Sequence, residues 1–219
     1  MTTDTTPASD NRRPILFAAI STGTGMALGF LIAYFLIESP LVEALAELVS
    51  DDQPFLQLLF GIFLFLGTIG LGGALAGLLA GNALCRCSGA ASESRFQRRG
   101  ALSFFVAHSL MALPALAAVG VVAFFNQDID VSISKLPTIF ALLGLIDGLL
   151  AGVLLGLQTV GLRRTLWVAL AAMAGFGAGG LLLGLALRAS VDLDFDGGRL
   201  LVVTAGFFLF GLVGGAALS

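Results

Sequence analysis

Two side chains in this sequence combine acid–base chemistry near neutral pH with a place inside a long apolar run: Asp147 and His108. Asp147 interrupts LLGLIDGLLAGV, and His108, in SFFVAHSLMAL, is the only histidine in the chain. A carboxyl can hold or release a proton or coordinate a cation, and an imidazole can relay a proton between its two nitrogens. An ionisable group kept at that depth is costly, faces protein or a wet cavity, and marks a proton or ion pathway by default. The competing reading is a satisfied hydrogen bond between helices. Gln158 falls on the Asp147 stripe, about 20° away at 100° per residue, and Thr68 and Thr204 reach the same depth on other runs. Counted from the run edges at 1.5 Å per residue, Asp147 lies about 20 Å and His108 about 10 Å from the arginine-rich side. That offset does not favour direct contact. Ser21, Thr22 and Ser109 are the polar groups expected beside His108.

Other candidate chemistry is weaker. Asp192-x-Asp194-x-Asp196-Gly197 opens like an EF-hand loop, but Val203 stands where the twelfth-position glutamate belongs. A weak surface cation site is the most it offers, against a solvated acidic loop. Cys85 and Cys87 form a C-R-C without further ligands for zinc, since the histidine lies elsewhere. Neither an H-E-x-x-H motif, a phosphate loop nor a nucleophile with its base is present. An enzyme, a cofactor and a nucleic-acid partner are therefore not expected.

The elements that carry these residues are set by composition. Of 219 residues, 58% are hydrophobic and 11% charged, with a mean hydropathy of +1.01. Soluble domains run about a quarter charged. Six runs, 15–37, 55–81, 101–125, 138–160, 165–187 and 200–218, are each long enough to cross a bilayer, which takes about 20 residues. The fold class expected is an all-α, six-helix membrane bundle, residues 15–219 as one domain after a disordered tail at 1–14.

Charge separates the two sides. On one side, eight arginines (Arg12, Arg13, Arg86, Arg95, Arg98, Arg99, Arg163, Arg164) face three acids (Asp4, Asp10, Glu93), a balance of +5. On the other, Lys135, Arg188 and Arg199 face ten acids, a balance of −7. Lysine and arginine beside spans stay cytoplasmic, so both termini are expected there. The near-absence of lysine beside abundant Gly, Ala and Leu points to a prokaryotic inner membrane.

An arginine pair opens each odd run, an acidic loop follows, and a glycine-rich even run closes the unit. Gly72-Gly73-Ala74-Leu75-Ala76-Gly77 aligns with Asp147-Gly148-Leu149-Leu150-Ala151-Gly152, and Gly214-Gly215-Ala216-Ala217 is the third copy. The sequence thus predicts three tandem hairpins. The P-x-[DE]-x-x-[KR] signature of the three-hairpin mitochondrial carriers is absent from the odd runs. Gly144, Gly148, Gly152 and Gly156 form a four-residue ladder, and Gly73, Gly77 and Gly81 repeat it. Such faces let backbones approach where lipid gives no hydrophobic drive for association. They could instead receive a flat lipid, quinone or pigment, or a protein partner.

In the outer loops, residues 40–50 have helical spacing and predict a short interfacial helix. Residues 128–134 and 190–196 alternate with period two, which predicts a small β-ribbon. Function at this level divides between a non-enzymatic structural or accessory subunit, favoured by the nearly non-polar interior, and a small proton- or cation-coupled transporter using Asp147.

Overall fold

The computed structural model describes residues 12–40, 42, 54–88, 93–125, 129–191, 193 and 196–218. They form six helices: α1 (Arg12–Ile37), α2 (Pro54–Ser88), α3 (Glu93–Phe125), α4 (Ile129–Thr159), α5 (Leu162–Val191) and α6 (Asp196–Leu218). Helix is the local solution for such a chain, because each backbone donor finds its acceptor within the segment without water. Four stretches are long and apolar enough to cross a membrane: Ile15–Leu36, Ile133–Thr159, Leu162–Val191 and Gly197–Leu218. In α2, Ile69–Asn82 is a shorter apolar helix among the described residues. Large apolar side chains such as Leu16, Phe35, Trp167 and Leu201 point outward, which suits lipid rather than water. The chain is a helical membrane protein by these criteria.

The helices close into a ring. Each packs on its neighbours in sequence, and α6 returns to α1. The α4–α5 and α2–α3 seams are the most extensive and the α3–α4 seam the slightest. The α4–α5 seam follows a tight connection. Gly161, at φ +80°, takes the left-handed conformation that lets α4 stop and α5 begin at once. Its N–H and that of Val160 both donate to the Gly156 carbonyl.

Several glycines stand where helices approach closely. A Cβ on Gly152 would stand 2.7 Å from Ala169 Cα, and one on Gly156 2.9 Å from Thr165 Cα. At Gly144 and Gly148 it would collide with the carbonyls of Phe176 and Ala172. Gly77 and Gly81 abut Gly100 and Phe96 in the same way, and a Cβ on Gly73 would come within 2.7 Å of the His108 ring.

One expectation is overturned. Residues 129–134 belong to α4, and no strand occurs among the described residues, so the β-ribbon is absent from them. The alternation in DIDVSIS is real, but a strand there would leave ladder groups unpaired beside an apolar bundle. Extending α4 backward satisfies them internally. The proposed interfacial helix at 40–50 lies almost wholly outside the described residues, as do residues 1–11 and the side chains of Asp192, Asp194 and Asp196.

Candidate functional site

The loosest seam holds the polar pair. His108 on α3 and Asp147 on α4 meet, with Nδ1 3.4 Å from Oδ1. The depth argument from sequence placed them about 10 Å apart, and it fails for a definite reason. It counted from residue 101, where the apolar run starts, whereas α3 begins at Glu93 and carries its first two turns on charged residues. Measured from their helix ends, His108 is about 22 Å along α3 and Asp147 about 18 Å from the end of α4.

The contact is a close approach rather than an aligned hydrogen bond. His108 Nδ1 lies 3.0 Å from the Phe104 carbonyl one turn back, where its proton has the acceptor. Nε2 then carries the lone pair in the neutral ring, and Nε2 has no partner. Asp147 is 5% exposed, and neither carboxyl oxygen has a hydrogen-bond partner. Buried polar groups are nearly always paired, so an unpaired carboxyl demands an explanation.

Both residues line a cavity of about 160 Å³. The rest of its wall is apolar: Ile69 from α2, Met111 from α3, Phe140, Leu143 and Gly144 from α4, Leu183 from α5, and Phe207 and Phe210 from α6. A second void of about 70 Å³ lies on the α1 side and shares Ile69, His108 and Phe207 with the first. His108 thus stands between two spaces in the interior of the ring.

Toward the arginine-rich end the interior is solid. Phe104, Phe176, Leu155, Ala107, Ala151 and Ala172 are at most 1% exposed. Phe104 packs edge-on against Phe176 at 5.7 Å, and Phe176 against Phe210 at 5.0 Å. The Phe104 ring also stacks on His108 at 5.7 Å, which fixes the imidazole plane. Asp147 therefore sits at the floor of the cavity, one residue above the Gly148 contact.

The other sequence candidates are not gathered there. Thr204 donates to the Leu200 carbonyl of its own helix at 2.7 Å, and is not in the cavity wall. Gln158 stands near the end of α4, where its backbone carbonyl accepts from Arg99 Nη1. The Thr68 side chain lies outside the described residues. Thr22 donates to Ala18 O at 2.9 Å, and Ser109 reaches Leu66 O across the α2–α3 seam at 3.5 Å.

Sequence reasoning missed two buried oxygens without partners, Asn82 Oδ1 and Ser103 Oγ, both on the arginine-rich side of His108. An asparagine in LAGNAL was the visible signal for the first. It also missed the aromatic wall, because Phe140, Phe207 and Phe210 resemble ordinary apolar residues until the helices converge. No group of three or more potential metal ligands occurs among the described residues. No protein-family model matches the chain, and no curated protein or solved structure matches it either.

Proposed function

We propose that the chain is a small, non-enzymatic, proton- or cation-coupled membrane carrier, in which Asp147 and His108 form the coupling pair. The observation that carries this reading is the buried Asp147 carboxyl, neither oxygen hydrogen-bonded, in the wall of a cavity shared with His108. A merely structural acid would have found donors, since leaving such a group unpaired costs about 1–3 kcal/mol. An acid that must take and release a ligand or proton cannot be permanently satisfied. Ser103 and Asn82 extend unpartnered oxygens toward the arginine-rich side, which we read as the direction of the closed half of the path.

The wider architecture in this reading is six spans built as three tandem hairpins with glycine-fitted seams. The aligned Gly73, Gly148 and Gly215 each abut the odd helix that follows in the ring, meeting Phe104 and His108, Ala172 and Phe176, and Ala18 and Thr22. Counted from the arginine pair, the first and third contacts fall at the same positions, and the second is about one turn further on. His108 and Thr22 are then equivalent places, each bonded to the carbonyl one turn back. The second hairpin alone carries the acid. We place the protein in a prokaryotic inner membrane with cytoplasmic termini.

The test is flux. Purified chain in proteoliposomes containing a pH-sensitive dye should move protons when a gradient is imposed, and Asp147→Asn should abolish that movement while leaving the melting temperature intact. Full flux in Asp147→Asn would remove the carboxyl from the mechanism. A second reading, an accessory subunit that associates with larger membrane partners through its glycine faces, draws support from the solid packing around Phe104 and Phe176. Stable co-purification with such partners and no flux from the chain alone would favour it.

A further inference from the structure

We propose that the cavity binds a small organic cation, a primary ammonium on an apolar body about the size of one aromatic ring. The inference rests on the carrier reading above and names its substrate class.

Size comes first. A cavity of about 150 Å³ lined by aliphatic and aromatic side chains accommodates benzene, and this one is about 160 Å³. Its wall is apolar except for Asp147 and His108, so the ligand is apolar except for the group that meets that pair. At that end the donors and acceptors define the head group. Asp147 offers two unpartnered oxygens and His108 one unpartnered ring nitrogen, which accepts because Nδ1 donates to Phe104. These three acceptors equal in number the three N–H donors of a primary ammonium. A carboxylate or phosphate would meet only acceptors.

A bare metal cation fits poorly. Hard cations such as Mg²⁺ and Ca²⁺ take about six or more oxygen ligands, and the described wall supplies the two of Asp147. Phe140, Phe207 and Phe210 stand where further ligands would be needed. Aromatic faces attract an organic ammonium instead, through the ring quadrupole and by covering its apolar body. The seam between α3 and α4 brings the acid and the histidine together, and Phe207 and Phe210 of α6 line the same cavity.

The probe is benzylammonium, with benzyl alcohol as its neutral isostere, benzoate as the anion and sodium chloride as the inorganic control. Binding is measured calorimetrically on the purified full chain in detergent. Benzylammonium should bind saturably, benzyl alcohol at least about tenfold more weakly, and benzoate and sodium not at all. Asp147→Asn should weaken benzylammonium by about tenfold or more and Phe207→Leu by a few-fold. A second measurement needs no variant: His108 is the sole histidine, so carbethoxylation of the wild-type chain by diethyl pyrocarbonate reports on its free nitrogen. Benzylammonium should slow that reaction, and benzoate should not. Equal binding of benzyl alcohol, an unchanged affinity in Asp147→Asn, saturation by sodium, or no binding and no protection by benzylammonium would each overturn the proposal. Benzylammonium binding without flux would sink the carrier reading alone. Proton flux without benzylammonium binding would sink this inference alone.

Discussion

Replacing Gly152 by alanine should destabilise the bundle, while the same replacement at Gly67 should stabilise it. A Cβ at Gly152 would lie 2.7 Å from Ala169 Cα, 2.9 Å from Ala172 Cβ and 3.0 Å from Val168 O. Carbon atoms in contact prefer about 3.5–4.0 Å, so α4 and α5 must part locally by roughly 0.5–1 Å, a gap that forfeits a quarter to a half of each contact's attraction. Ala169 and Ala172 are 1% and 0% exposed and have no side chain that can swing aside. Overpacking of this kind costs about 1–3 kcal/mol. Against it stands the helix preference of alanine over glycine, about 1 kcal/mol. At Gly67 nothing lies within 4 Å of the added carbon, so the preference acts alone. The two variants should therefore differ by about 1–3 kcal/mol, or roughly 2–12 °C at 2–4 °C per kcal/mol for a chain of this size. Thermal unfolding of both variants in one detergent, followed by tryptophan fluorescence and monodispersity, gives the comparison. Gly152→Ala melting at or above Gly67→Ala would refute the claim that this seam is closed by backbone approach.

Other expectations follow from particular contacts. Asp147→Leu removes two unpartnered oxygens and partly fills the cavity, so the melting temperature should rise, by an amount corresponding to about 1–3 kcal/mol, while flux vanishes; a clear loss of stability would mean the acid has a structural partner. Thr204→Val should leave both stability and flux within about 0.5 kcal/mol or its rate equivalent, because its hydroxyl serves only Leu200 O, and a loss of flux would return it to the pathway. Arg99→Gln removes a cation from the last turn of α4, which should cost about 0.3–1 kcal/mol in a salt-sensitive manner; an unchanged melt at low salt would discount that contact. In a background with Cys85 and Cys87 replaced by alanine, a membrane-impermeant thiol reagent should reach Ser134→Cys from outside intact cells and Ser94→Cys only after permeabilisation. The opposite pattern would invert the charge-based topology.

Much of the architecture was present in the chain itself. Run length and hydropathy determine helices of membrane-spanning size, because an apolar segment without water has few other ways to satisfy its backbone. The type of the key residues was equally visible: an aspartate or a histidine in such a run stands out against its neighbours. Period-two patterning in 128–134 misled, since seven residues of alternation weigh less than the cost of opening a strand edge beside an apolar helix that can extend over most of them.

What the sequence could not supply was level and direction. Its estimate of depth used the edge of the apolar run as the start of the helix, and two charged turns from Glu93 to Gly100 displaced His108 enough to bring it beside Asp147. Which carbonyl takes the Nδ1 proton, and hence that Nε2 and both Asp147 oxygens are left over, depends on rotamers that only packing selects. The cavity is further still from sequence, being bounded by Ile69, Leu183, Phe207 and other residues up to 141 positions apart, each unremarkable alone. Composition and period act along one helix and are read locally. A site made by the convergence of five helices is a property of their closure, set by how near each glycine seam allows two backbones to come.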